Sequence, residues 1–534
     1  MTSKKPLNQE ISELDQEITK LLARRTRLLA KSVAKRKEDN LPLVSPDQEK
    51  KLWKIWQAVQ QEYSLEFLPW RKLFYLLNNS AYALAEKKKT DQAFPLLPSH
   101  SPLDIELSAP LDLDSTKLAV VAGCLANKEF TLFSTVLEDG LIELLKSLNL
   151  AGASFSWDQE GIKHTSPSEL KFDNKNIFAG QDPLTLYLLV CLSLFQTGIC
   201  KFSGASKLKF NDFEPLFNLI SQLNARAVPL IPESSNLPFR LESSGQLPES
   251  VHLPFSAPGE LALALTLCAP LNKKGLQITW EKNWPHADNL QIEADILQKF
   301  GIYPEINENS ISVAAGKYSL PKPFEIPMDP LLSSFLLAFP QIQGGKACLK
   351  GTWPEENPKA KVMENILTGC GLKLEKSDHL ICSFPGTAPR NRPEFDLRFA
   401  PWAIPLAVGL SDALGLDMDL NIFEENYLED TQIVLDSLHI PHEFSGNLLE
   451  LKPTLEQKDL RCSLTTPNPF WSLATALIAL RRSGIQLNNP GDITLVWPKF
   501  WKIYKTLPSP QLTTSKQEPE AKYESKQRRR HIVK

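Results

Sequence analysis

Four carboxylates crowd the stretch NIFEENYLEDTQI, from Asn421 to Ile433, and no lysine or arginine offsets them. The stretch joins a strand-like run, DMDLNIF, to a helix-like run, TQIVLDSLHI. A helix start offers free N–H groups and suits an anion; this one presents side-chain carboxylates instead. Glu429 is therefore either a proton carrier or a carboxylate stabilised by the helix dipole, and Glu260, at another helix start, reads the same way. Arg25 interrupts an apolar helical stripe. It either holds a ligand carboxylate or pairs with a carboxylate on a neighbouring helix. Lys117 stands at a helix start and reads as a solvated lysine. The eight cysteines (124, 191, 200, 268, 348, 370, 382 and 462) form no CxxC pair and read as buried, reduced thiols. His439 and His442 lie three apart without a Cys/His cluster, so neither a metal site nor a cofactor is expected.

The 534 residues suffice for more than one domain. Apolar residues make up 42% and charged residues 23%, the balance of a soluble protein. A net charge of −3 points to no nucleic-acid partner. There is no apolar run long enough for a membrane span and no secretory leader in MTSKKPLNQEISELDQEI, so a cytoplasmic protein is expected.

Three helical stretches occupy residues 1–88. In the first, Leu7, Ile11, Leu14, Ile18, Leu21, Arg25 and Leu28 are spaced alternately four and three apart, a coiled-coil-like stripe. The second contains LWKIWQAVQQEY and the third spans Trp70 to Ala85. These helices cannot cover their apolar faces alone and should pack on the main body or on a second copy. Residues 89–105 read as a linker, and residues 508–534, ending in RRRH, as a disordered basic tail.

Between them lies an internal repeat. STKLAVVAGCLA, PLTLYLLVCLSLF, GELALALTLCAPL, PLLSSFLLAFPQI, PWAIPLAVGLSDAL and PFWSLATALIAL are apolar helices rich in small residues, recurring roughly every 70 residues. Each precedes a strand and then an amphipathic helix such as GLIELLKSLNL or KVMENILTGCGL. A helix apolar all round is buried on all sides. The expected architecture is α/β: six strand–helix–strand–helix–strand units, with sheets wrapped around buried helices. Six units exceed one compact core, so two lobes meeting at a ligand cleft are expected.

Residues 106–507 so arranged resemble the enolpyruvyl transferases, and most closely the 5-enolpyruvylshikimate-3-phosphate synthase family. The repeat, NIFEENYLEDTQI and GDITLVWPKFWKIYKTL carry the resemblance. It implies an inside-out α/β barrel with lobes of about 112–325 and of 106–111 plus 326–507. LDQEITKLLARRTRLLAKSVAKRK resembles an all-helical chorismate mutase. Both families serve aromatic amino acid biosynthesis through the shikimate pathway.

The synthase reaction joins two anions, shikimate 3-phosphate and phosphoenolpyruvate. Such a cleft needs several Lys and Arg side chains and a carboxylate that moves a proton. Matched residue by residue, the family's cations are mostly replaced. The lysine and arginine of the first motif fall on Leu113 and Leu118, with Lys117 beside the latter. Later arginines fall on Tyr187 and near Asn211, the Ser-Ser-Gln motif becomes Pro258-Gly259-Glu260, and the catalytic aspartate falls near Pro401. In the Lys-Glu-Ser/Thr-Asp-Arg motif the lysine becomes Leu428, Glu429 survives, and the arginine becomes Gln432. The last motif becomes Asn468-Pro469-Phe470, and the C-terminal lysine falls on Leu495. On the mutase side Arg25 matches a pocket arginine and Arg36 or Lys37 the pocket lysine. The family's Asp-x-x-Arg-Glu becomes Ser45-Pro46-Asp47-Gln48-Glu49, an arginine falls on Asn8 and the late glutamine on Leu84, after Ser80, so that Glu49 and Ser80 are further candidates.

Three functions follow from the resemblance. The chain is a divergent synthase, or a catalytically silent homologue that binds another enzyme of the pathway, or a chorismate-binding or mutase protein through its helical domain. The replaced cations weigh against the ordinary synthase reaction, because each charged contact is worth about 1.5–3 kcal/mol.

Overall fold

The computed structural model describes residues 7–510 apart from 40, 42–44, 87–92, 98–100, 134, 159–160, 166–168, 232–235, 283, 288, 321–324 and 454–458. The basic end of the tail lies outside the described residues.

Helices α1 (Leu7–Glu38), α2 (Pro46–Glu62) and α3 (Phe67–Glu86) form the N-terminal layer. Ser45 caps α2 and Pro46 opens it, a start that needs no further amide partner. Of α1 only Leu29, Ala30 and Val33 are buried, against Ala81 and Tyr82 of α3. Leu7, Ile11, Leu14, Ile18 and Leu21 stay 49–76% exposed, so the body of the same chain leaves this apolar stripe uncovered.

The repeat appears as helix pairs. The inner helices are α4 (Leu113–Leu125), α6 (Pro183–Leu194), α8 (Gly259–Cys268), α10 (Pro330–Gln343), α12 (Ile404–Leu414) and α15 (Pro469–Ile478). Nearly every residue of each is buried, as their all-round apolar sequences demand. The outer, amphipathic partners are α5 (Asp139–Leu150), α7 (Glu214–Gln222), α9 (Asn289–Lys299), α11 (Pro358–Gly369), α14 (Gln432–Ser437) and α16 (Phe500–Lys505). A single turn, α13 (Glu424–Asn426), precedes α14.

Six separate sheets of three or four strands flank these helices, and among the described residues none closes into a barrel. Five contain a parallel pair, which requires a crossover. In four of these the inner helix is the crossover, as where α8 joins Ser250–Leu253 to Leu276–Trp280. The fifth is interrupted. Leu103–Ser108 pairs parallel with Gly345–Lys350, and the units containing α4 to α9 lie between them in sequence.

Two cores result, one built around α4, α6 and α8, the other around α10, α12 and α15. We call them the first and second lobes. The chain crosses between them twice, at Ala109–Asp112 and Ile326–Asp329. The crossings lie side by side: Leu111 and Met328 form an antiparallel bridge, the Asp112 amide donates to Pro327 O (3.0 Å), and the Asp329 amide to Pro110 O (2.8 Å).

Two sequence readings change here. Cys348 and Cys382 are not free thiols. They face each other across antiparallel strands with Cα atoms 4.1 Å apart and form a disulfide. The other six cysteines are free, five of them buried. The linker is also partly structured: Phe94–Pro95 pairs with Gln486–Leu487, and Leu96 is buried in the second lobe. No helix among the described residues is long and apolar enough to cross a membrane.

Candidate functional site

Two of the inner helices, α4 and α10, begin directly after the crossings between the lobes, and the first turns of the inner helices decide how much of their free amide each offers a ligand. An uncapped helix start offers amides to an anion. Here the chain closes most of its own. Asp112 accepts from the Ser115 amide (2.7 Å), Asp182 from Thr185 (2.8 Å), Asp329 from Leu332 (2.9 Å), and Asn468 from Phe470 (3.1 Å). Glu138 does the same for outer helix α5, through the amides of Gly140 and Leu141. Proline at the first position of α6, α10 and α15 removes one more donor.

Lys117 is not solvated. Its ammonium lies 3.2 Å from Glu138 and 3.0 Å from Asp182, and its side chain is 4% exposed. Burial alone would lower its pKa, but the two carboxylates raise it above the usual lysine range. Asp182 is correspondingly held below the ordinary carboxylate range: burial opposes this, and Lys117 with the Thr185 contacts overcomes it. The lysine thus spends its charge on the chain's own acids. Asp114 adds a third carboxylate beside it and Asp329 a fourth across the crossing, with Lys359 of α11 as the second cation. Asp114 is recessed yet open to water, whereas Asp329 is half-buried.

A cavity of about 1410 Å³, lined from both lobes, reaches the start of α4 at Ser115. Lys299 and Tyr303 come from the first lobe and Trp353, Glu355 and Glu356 from the second. Its charged lining comprises Glu325, Glu355, Glu356 and Asp378 against Lys299 and Lys376, with His379 beside Glu325. Lys376 is already paired with Glu355 (3.3 Å) and Glu364 (3.1 Å). The charged lining of this cavity is therefore predominantly acidic.

The helical domain holds a different arrangement. Arg25 Nη2 donates to Asn78 Oδ1 at 2.7 Å, and its guanidinium lies 5.6 Å from the Trp56 ring centre and 5.9 Å from that of Phe74. The expected carboxylate partner is replaced by an amide and two aromatic faces. Burial lowers the Arg25 pKa. Arg25 Nη1 and Asn78 Nδ2 are buried without a hydrogen-bond partner among the described residues. Such groups are destabilising unless a ligand or water reaches them. Nearby, Tyr82 donates to Glu49 Oε1 at 2.7 Å; burial and then Glu49 push its pKa above the usual tyrosine range, with Arg36 opposing.

The comparisons match this layout. Residues 7–79 match the family described as chorismate mutase type II. A 3-phosphoshikimate 1-carboxyvinyltransferase of Sulfurovum sp. (strain NBC37-1) is 20% identical over 422 residues, covering 76% of this chain and 96% of the relative. In sequence and fold the chain is similar to EPSP synthases, with a match to chorismate mutase type II at its N-terminus. The carboxyvinyltransferase of Methanocaldococcus jannaschii is 22% identical over 283 residues, 52% of this chain and 65% of that one. The fold agrees. The EPSP synthase of Acinetobacter baumannii superposes with a TM-score of 0.63 at 15% identity, over 77% of this chain and 96% of that one. The enolpyruvyl transferase NikO of Streptomyces tendae gives 0.57 at 12% identity, with coverage of 77% and 96%.

Within the EPSP synthase-like body, the positions matched to family cations hold uncharged side chains. Leu118 and Tyr187 are buried in the first core, and Leu428 is 56% exposed. Asn468 caps α15 and donates to Asp430 at 2.7 Å. Glu260 sits in the first turn of α8, near His286, whose pKa burial lowers and Glu260 raises. The backbone of Glu429 lies in the turn before α14; its side chain lies outside the described residues. In the mutase-like domain, Arg25, Glu49 and Arg36 gather around Asn78 and Tyr82. Ser80 returns its hydroxyl to Leu76 O, and Lys37 lies on a separate basic groove with Lys20, Arg24, Arg27 and Lys31.

Sequence reasoning missed Asp112, Asp182 and Asp329. Their signal was present: Asp or Asn before an inner helix, followed in α6, α10 and α15 by proline, is a helix-start signature. No comparable signal marks Asn78.

Proposed function

We propose that this chain is a cytoplasmic shikimate-pathway protein whose body, residues 106–507, no longer transfers enolpyruvyl and instead serves as a binding partner of another enzyme of the pathway. One observation carries this reading: the cavity lined from both lobes presents more carboxylates than ammonium groups, and four of the six inner helices, α4, α6, α10 and α15, have a first-turn amide taken by the chain's own side chain. Two phosphorylated anions placed there would meet repulsion. Loss of five charged contacts removes about 7 kcal/mol or more, about five orders of magnitude in affinity. The partner-binding half of the proposal is supported by the uncovered stripe on α1.

Calorimetric titration of the full chain with shikimate 3-phosphate and phosphoenolpyruvate together is expected to give no saturable heat up to about millimolar ligand, the affinity left when about 4 kcal/mol of binding remains. Micromolar, saturable uptake of both compounds overturns the proposal. Co-purification from the native cell tests the partner; a protein that always elutes alone counts against it.

A second reading concerns the helical domain, residues 1–88, and rests on the unpartnered donors of Arg25 and Asn78. These two groups and the aromatic walls suit a small carboxylate such as chorismate. Arg25→Ala is expected to weaken chorismate binding by about 10- to 150-fold, the equivalent of one charged hydrogen bond. Unchanged binding in this variant removes Arg25 from the site.

A further inference from the structure

The two crossings between the lobes carry an unusual load. Each ends in an aspartate that caps an inner helix of a different lobe: Asp112 for α4 and Asp329 for α10. The bridge between Leu111 and Met328, with its flanking backbone bonds, fixes these two helix starts beside each other. Asp114 follows one residue into α4. The charged groups that act on this point are Asp112 before α4, Asp114 and Lys117 on α4, Glu138 before α5, Asp182 before α6, Asp329 before α10 and Lys359 on α11, while Lys299 of α9 and Glu325 line the adjoining cavity. Fully ionised, the groups at the point itself are five carboxylates against two lysines. Lys117 is committed to Glu138 and Asp182, so the excess negative charge falls on Asp112, Asp114 and Asp329, at and beside the crossings between the lobes, with Lys359 as the remaining cation.

We propose that the paired crossings form a proton-dependent hinge, in which ionised Asp114 and Asp329 drive the lobes apart and their protonation lets the lobes draw together. The repulsion has the right range. Like charges close together in a partly wet site repel one another more strongly than exposed charges farther off, which salt screens. The direction of titration agrees. Burial and then Asp112 hold Asp329 up at about 7, and burial raises Asp114 to about 6, with Lys117 and Lys359 opposing. The crowded arrangement therefore binds protons more tightly than a separated one, and proton uptake favours it. By the same sign, stability contributed by these two groups is complete below about pH 4, the ordinary carboxylate range, and is lost as pH rises through about 6 to 7.

Small-angle scattering of the full chain tests the hinge, at several protein concentrations and at each pH from 5 to 8. The wild-type radius of gyration is expected to increase reversibly with rising pH, with a midpoint between about 6 and 7. The variant Asp114→Asn/Asp329→Asn, in which asparagine keeps the cap of α10, is expected to stay at the low-pH value throughout. Asp114→Asn alone is the second variant, and a reduced increase is expected of it. A wild-type radius that does not change with pH overturns the proposal. So does a folded double variant that retains the wild-type transition, since that assigns the change to other groups such as His379.

Discussion

Replacing Lys117 with methionine is expected to destabilise the first lobe by about 3–5 kcal/mol, because it strands Glu138 and Asp182 without their cation. Both ion-pair contacts are short, and the lysine is almost fully enclosed. The pH dependence gives the effect a signature. Asp182 titrates below its ordinary range in the folded protein, so the stability it contributes is present above about pH 4 and is lost as acid protonates it. In the variant the stranded carboxylates take up protons readily. The deficit should therefore be largest near neutral pH and shrink toward pH 4. The triple variant Lys117→Met, Glu138→Gln, Asp182→Asn should recover most of the loss. Urea unfolding measures all three. A Lys117→Met protein as stable as wild type at pH 7 would show that the ion pairs contribute nothing net.

The second lobe contains a comparable buried pair. Arg482 contacts Asp412 of α12 and donates to Leu438 O at 3.0 Å, tying α12 to the end of α14. The two side chains are 5% and 0% exposed. Arg482→Met alone is expected to lose about 3–5 kcal/mol, whereas Arg482→Met with Asp412→Leu should return to within about 1 kcal/mol of wild type or exceed it. Burial pushes Asp412 up to about 6 despite the arginine. The folded state thus holds a proton that the unfolded chain releases near pH 4, so this group's contribution declines as pH rises through about 6. The double variant should lack that slope. If it is as unstable as the single variant, the damage lies in packing and not in the unpaired charge.

The repeat was legible because it is written in hydrophobicity. PLTLYLLVCLSLF and PFWSLATALIAL can only be enclosed helices, and the amphipathic segments between them can only lie outside. Tyr187 and Leu428, which the resemblance matches to family cations, cannot carry positive charge. What stayed hidden depends on convergence. Lys117 looks solvated in sequence because nothing there shows that α5 and α6 bring Glu138 and Asp182 to it. Cys348 and Cys382, separated by 34 residues, pair only once the register of their strands is known. Arg25 was expected to meet a carboxylate, and its actual partner, Asn78, lies 53 residues away with no mark of its own.

The interrupted unit has a consequence for biosynthesis. Leu103–Ser108 leaves the ribosome with Leu103, Ile105 and Leu107 on one face, but its neighbour Gly345–Lys350 emerges about 240 residues later. At about 5–20 residues per second that is a delay of about 12–48 s. During it the first lobe has all its strands and helices and can fold, while a ready apolar edge waits beside it. That edge is the point at which a nascent chain of this architecture is most exposed to aggregation and most in need of a chaperone.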